Sequence, residues 1–219
     1  MKTKTIKKVA ILGSGIMGSG IACHFANIGV PVLLLDIVPF NLTEEEKKVP
    51  AARNRIVNES LQNCIKGKLN PLYSKSFASR ITTGNFDDDM AKIKDCDLIL
   101  EAVIERLDIK HQVFAKVEQH RKPGSIIASN TSGIPIHMMT EGRSEDFNRN
   151  FVGLHFFNPP RYLRLLEVIP TPLTDPAITD FMMHYGDLFL GKRTVLCKDT
   201  PAFIANRVGV AALLRVLEL

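Results

Sequence analysis

No stretch of the 219 residues approaches the roughly 20 consecutive apolar positions of a membrane span, so no membrane-crossing helix is expected. Cysteine is scarce: Cys23, Cys64, Cys96 and Cys197 lie far apart, with no CxxC pair and no Cys/His ligand spacing. That pattern supplies neither a metal site nor a disulfide framework, and it reads as reduced, mostly buried thiols of a cytoplasmic protein. No cleavable leader is expected either. Lys-rich residues precede the apolar run 9–12, but Gly13, Gly15 and Gly18 break it, and no small-x-small site follows a continuous apolar core. A lipidated Cys23 would need a bulky aliphatic residue where Gly20 stands. Basic residues are scattered, with denser spots only at 2–8 and 53–68, so the net charge of +5 does not mark a nucleic-acid binder.

What is present is an ordinary globular composition, 45% hydrophobic and 23% charged, enough to rule out a disordered chain. Short aliphatic or β-branched runs alternate with helical patterns and show no internal repeat. Strands are predicted at residues 8–13, 31–36, 80–83, 98–103, 125–129, 151–155, 165–169 and 194–198; helices at 16–28, 51–66, 109–121 and 176–190. Such alternation argues for an α/β doubly wound sheet, parallel at least in its first half. Residues 38–50, rich in Glu and Lys, form a charged excursion that leads into a helical, hairpin-like region ending near Lys75. From Pro201 a further helix is predicted, apolar nearly all round through Val208, Val210, Leu213, Leu214, Val216 and Leu217. A helix without a polar face expects burial on several sides. We therefore expect residues 1–200 to form the sheet domain and 201–219 the first helix of an all-helical domain whose remainder is missing.

Gly13-Ser14-Gly15-Ile16-Met17-Gly18 follows a predicted strand and opens a predicted helix. In that context Gly13 makes a tight turn, Gly15 lets a pyrophosphate approach the backbone, and Gly18 lets helix pack on strand. The N–H groups of the helix start at Ile16 and Met17 then face the anion. Asp36 ends the second strand, 18 residues after Gly18, where a carboxylate accepts from ribose hydroxyls and repels a 2′-phosphate. No Arg follows it directly, so the sheet reads as Rossmann-type and the cofactor as NAD.

Dinucleotide binding alone names no reaction. Four later segments lie at or beyond predicted strand ends: 105–110, 129–132, 155–159 and Glu167 within its apolar run. The glycine turn at 13–18 and residues 129–132, 153–159, 166–169 and 197–207 together resemble the L-3-hydroxyacyl-CoA dehydrogenase family, most specifically in His155-Phe156-Phe157-Asn158-Pro159. The wording of 158–163 is similar to the multifunctional bacterial β-oxidation proteins.

The resemblance implies an NAD-dependent interconversion of L-3-hydroxyacyl-CoA and 3-oxoacyl-CoA. It implies that His155 is the catalytic histidine, Glu167 its carboxylate partner, and Ser132 and Asn206 the residues at the substrate oxygen. It places Glu105, Lys110, Ser132 and Asn158 on the nicotinamide side, and Ser60 with Lys66 or Lys68 at the coenzyme A handle. It also implies a homodimer built through a helical domain, and a fused or associated enoyl-CoA hydratase. The chemistry suits these residue types. A neutral imidazole can accept the alcohol proton, a carboxylate on its far nitrogen fixes the tautomer, and Ser and Asn can donate to a developing carbonyl oxygen. Other readings stand beside these roles: a buried structural hydrogen bond for Asn206, solvated surface positions for Lys66 and Lys68. For the whole chain, a free hydroxy-acid dehydrogenase and a dinucleotide-binding module without turnover are the alternatives. No metal is expected, since the remaining histidines form no ligand cluster.

Overall fold

The computed structural model describes residues 4–218. Its centre is one eight-stranded sheet in the order β3-β2-β1-β4-β5-β6-β7-β8. The strands are β1 (Val9–Leu12), β2 (Val32–Asp36), β3 (Ile81–Asn85), β4 (Leu98–Glu101), β5 (Ile126–Ser129), β6 (Phe151–Phe156), β7 (Leu165–Pro170) and β8 (Arg193–Leu196). Pairing from β3 across to β6 is parallel throughout. β7 runs antiparallel to β6, and β8 runs parallel to β7. The inner strands are apolar on both sides because both faces of the sheet are covered. Val9 and Ile11 enter one core, and Ala10 and Leu12 the other.

The helices are α1 (Ile16–Asn27), α2 (Pro50–Arg53), α3 (Arg55–Lys66), α4 (Leu107–His120), α5 (Glu145–Arg149), α6 (Pro176–Leu188) and α7 (Ala205–Leu217). One face of the sheet buries Ile21 and Phe25 of α1, Val57 and Leu61 of α3, and Met182 of α6. The other buries Val113, Phe114 and Val117 of α4 with Phe147 of α5. There Phe114 meets Phe147 and Phe151 edge-on, with centroids 5.7 and 5.2 Å away. Burying each such side chain stabilises the fold by roughly 1.5–3 kcal/mol.

Three expectations need correction. The helix predicted over 51–66 is broken at Asn54, whose backbone (φ −96°, ψ 12°) leaves the helical region and separates α2 from α3. A short helix, α5, was not foreseen; Ser144 caps it by accepting from the Phe147 amide. The final helix begins at Ala205 rather than at Pro201, because Ala202 (φ 63°) and Phe203 (φ 50°) are left-handed and turn the chain first. Within the described chain its apolar residues are exposed, Leu213 at 59% and Leu217 at 73% among them. The sequence pattern reports an apolar surface but not whether anything covers it. None of the described helices is long and apolar enough to cross a membrane.

Candidate active site

The ends of β1, β2, β4, β5 and β6 share one edge of the sheet, since these strands run parallel. Sheets of this kind hold ligands outside that edge. The glycine turn leaves β1 there. Gly13 has φ +103°, and a Cβ on it would lie 2.5 Å from the Ala102 carbonyl oxygen. A Cβ on Gly18 would overlap the carbonyl oxygen of Gly13, so Gly18 is what lets α1 start so close to the strand. At Gly15 a Cβ would meet nothing within 4 Å, which leaves that flank of the turn clear. The first turn of α1 carries no acid and no side-chain cap, so the N–H groups of Ile16 and Met17 are available to an anion. These residues fit a dinucleotide pyrophosphate.

Asp36 closes β2. Its Oδ2 accepts from Ser14 N (2.6 Å) and Ser14 Oγ (2.5 Å), and its Oδ1 accepts from Ile37 N (2.7 Å). A carboxylate has about four acceptor positions, so capacity for ribose hydroxyls remains. Asp36 lines a cavity of about 660 Å³ together with Gly13, Gly15, Val103 and Ile104. A neighbouring cavity is lined by Ile37 and by three cations that sequence position alone did not bring near, Lys47, Arg53 and Lys116. Each is already matched: Lys47 to Glu44 (2.6 Å), Arg53 to Asp88 (2.6 Å) and Lys116 to Asp87 (3.7 Å).

Beyond β4, Glu105 folds back over the turn that follows β5. Its Oε1 accepts from Thr131 Oγ1 (2.5 Å), Ser132 N (2.9 Å) and Gly133 N (3.1 Å). Burial pushes its carboxyl pKa up, but the Thr131 hydroxyl, the charge of Lys110 and the Ser132 amide outweigh that and hold it below the usual range. Lys110, which the resemblance places on the nicotinamide side, is 1% exposed. Its ammonium sits 2.7 Å from Glu101 Oε1 and 3.3 Å from Glu105 Oε2. Lys110 is thereby tied to Glu105, its neighbour on the same side. Glu101, which the sequence reading passed over, is fully buried and also accepts from Ser129 Oγ (2.5 Å) and Val103 N (2.7 Å). Burial raises its pKa, opposed first by Lys110. An acid inside the apolar run Leu98-Ile99-Leu100-Glu101 was the available signal, because such a carboxylate requires a partner.

His155 and Glu167 stand opposite each other in the β6–β7 register. His155 Nδ1 lies 2.7 Å from Glu167 Oε2, with both side chains buried. Glu167 Oε1 accepts from the amides of Ile204 (3.1 Å) and Ala205 (2.8 Å), the first turn of α7. The imidazole packs between the rings of Phe157 and Phe203, centroids 4.4 and 5.8 Å away. Among the described residues, Nε2 has no hydrogen-bond partner in the protein. Cys197 also lies near Glu167; burial, then the negative charge of that carboxylate, pushes its thiol up to about 12.

Ser132 is exposed, and its carbonyl accepts from Asn206 Nδ2 at 2.9 Å, so the two predicted oxygen-side residues meet directly. Asn158 is exposed just past β6. Asn130, missed in the sequence, ties the two segments by accepting from the Phe156 amide (2.9 Å). Ser60 on α3 lines the 660 Å³ cavity. Lys66, at the end of α3, and Lys68 are solvent-exposed and make no ion pair among the described residues. Those residues contain no group of three or more His, Cys, Asp or Glu that could hold a metal ion.

Residues 8–200 match the family model described as 3-hydroxyacyl-CoA dehydrogenase, NAD binding domain. A probable 3-hydroxyacyl-CoA dehydrogenase of Bacillus subtilis is 54% identical over 98% of this chain, which spans 28% of that protein. A putative fatty acid oxidation complex trifunctional enzyme of Rickettsia felis is 42% identical over 93% of the chain, which spans 27% of it. The chain thus spans under a third of the length of either relative. The crystal structure of (S)-3-hydroxybutyryl-CoA dehydrogenase from Ralstonia eutropha superposes with a TM-score of 0.74 at 28% identity, covering 95% of this chain and 69% of that one.

Proposed function

Since the chain belongs to the 3-hydroxyacyl-CoA dehydrogenase family, as its NAD-binding domain, we propose that it serves an enzyme interconverting L-3-hydroxyacyl-CoA and 3-oxoacyl-CoA. The observation that carries this reading is the 2.7 Å contact between His155 Nδ1 and Glu167 Oε2 on the edge that also bears the glycine turn. NAD, when bound, supplies the hydride acceptor. The free Nε2 of His155 takes the proton of the substrate hydroxyl in oxidation and returns it in reduction. Glu167 keeps the Nδ1–H tautomer and balances the imidazolium that forms. The Ser132 hydroxyl and the second N–H of Asn206 Nδ2 donate to the substrate oxygen as it becomes a carbonyl. Glu105 orders residues 131–133 beneath it, anchored by Lys110 and Glu101.

Ser60 meets the thioester arm, and Lys66 or Lys68 meets the coenzyme A phosphates. The whole protein is proposed to act as a homodimer in the cytoplasm. The trifunctional name of the Rickettsia felis relative supports a fused or associated enoyl-CoA hydratase. Consumption of NADH by the whole protein, measured at 340 nm with acetoacetyl-CoA and with acetoacetate, tests the reading. Turnover of the thioester alone is expected. Equal turnover of the free acid removes the CoA assignment, and turnover of neither, with NADH bound, removes the enzyme.

A further inference from the structure

Lys192, between α6 and β8, is 3% exposed and forms no ion pair with any described carboxylate. The nearby ionisable groups are basic as well: His24 on α1 and Arg161 in the loop after β6. A buried ammonium without a counterion is costly, and an apolar side chain of similar length would be cheaper. Its geometry shows what it holds. Nζ donates to the carbonyl oxygens of Pro160 and Leu163, the latter at 2.8 Å, and lies 5.7 Å from the centroid of Phe156. Both carbonyls belong to the loop that leaves β6 immediately after His155, Phe156, Phe157 and Asn158.

The same loop is seated from two other directions. The Pro160 ring rests on Gly20 of α1, where an added Cβ would stand 3.1 Å from Pro160 Cδ and Cγ. Arg161 Nη1 donates to the carbonyls of Asn70 (2.6 Å) and Leu72 (3.1 Å), just beyond α3. Its guanidinium lies over Tyr73, 4.5 Å from the centroid, and Tyr162, 5.1 Å away. Loop carbonyls carry no net charge, so satisfying them does not by itself call for a cation. An ammonium does so with stronger, charge-assisted bonds and can reach two carbonyls at once.

The geometry points to Lys192 as a positioning residue for the proposed reaction: its ammonium fixes loop 158–163 and thereby the placement of His155 and Asn158 relative to α1, the helix that opens at the glycine turn. Burial brings the Lys192 ammonium down to about 8, which is consistent with a charge kept in an apolar place for a purpose other than solubility. The assignment rests on the dehydrogenase reading above.

The test uses the whole protein with Lys192→Met and Lys192→Gln, reading whichever variant gives a cooperative melt. Hydrogen–deuterium exchange across residues 157–164, the dissociation constant for NADH, and kcat and KM with acetoacetyl-CoA are measured. Expected are faster exchange in the loop, NADH affinity within threefold of the unaltered protein, and kcat lower by at least tenfold. A merely structural lysine would lower the melting temperature and leave kcat per folded molecule unchanged. A folded variant with kcat within twofold overturns the assignment, as does the collapse of both variants. If the unaltered protein turns nothing over, the dehydrogenase reading fails separately, and loop exchange alone decides: an unchanged loop then overturns the positioning role.

Discussion

Glu167 holds His155 with one oxygen and the start of α7 with the other: Oε2 is 2.7 Å from the imidazole Nδ1, and Oε1 accepts the amides of Ile204 and Ala205. Each oxygen of that carboxylate is thus assigned to one of two structures, the imidazole or the helix.

Replacing His155 with Ala removes the imidazole proposed to exchange the proton of the substrate hydroxyl. A fall in kcat of roughly 10²–10⁴ is expected, with NADH affinity little changed. Steady-state assays and a fluorescence titration of NADH check the two halves. Near-normal turnover refutes the base.

Glu167→Gln keeps the shape but turns an acceptor into a donor. Its amide nitrogen must face either the imidazole N–H or the two backbone amides, leaving buried donors opposed. We expect a loss of about 1–3 kcal/mol in urea unfolding, in addition to reduced turnover. Unchanged stability would show that the amides of α7 do not depend on this carboxylate.

Lys110→Met strands Glu101, which is fully buried. Breaking such a pair costs about 3–5 kcal/mol. Adding Glu101→Met to the same protein should recover part of that loss, because the uncompensated charge is removed. Denaturant melts of the two variants decide; a double variant no more stable than the single one contradicts the account.

Asp36→Ala removes the carboxylate that closes β2 and accepts from Ser14 and Ile37. Hydrogen bonds to a charged group contribute about 1.5–3 kcal/mol, so the NAD dissociation constant should rise roughly tenfold or more. Affinity for NADP should fall less, or rise, since repulsion of its 2′-phosphate disappears. Parallel titrations of the two cofactors test this, and an unaltered NAD/NADP ratio would contradict it.

His24 supplies a pH dependence. Burial, then the charge of Lys192, lowers its pKa from 6.5 to about 4, and its Nε2 lies 2.9 Å from the Leu190 carbonyl. Below 6.5 the unfolded chain takes up a proton that the folded one refuses, so stability is complete above 6.5 and is lost as pH falls toward 4. The full gap corresponds to roughly 3 kcal/mol. Comparing unfolding free energies at pH 7 and pH 5 with those of His24→Gln isolates this contribution; equal slopes in the two proteins would exclude it.

Much of the architecture was legible because buried strands are short and aliphatic, and the glycine turn reads by spacing. The direction of β7 was not, since a period of two is the same forwards and backwards. Glu167 stood out as an acid in an apolar strand, and the same reasoning applied to Glu101 would have exposed the network around Lys110. Lys110 entered only through the resemblance, on the nicotinamide side; its burial carried no signal of its own, because it depends on two acids, Glu101 and Glu105, brought in from another segment. The bend at Ala202 and Phe203 carried no signal: neither residue favours left-handed backbone.

That bend has a mechanical corollary. Because the chain turns at residues 202 and 203 before α7 begins, the amides of Ile204 and Ala205 arrive at the carboxylate that faces the imidazole. One side chain therefore moors both the root of the last helix and the ring of His155.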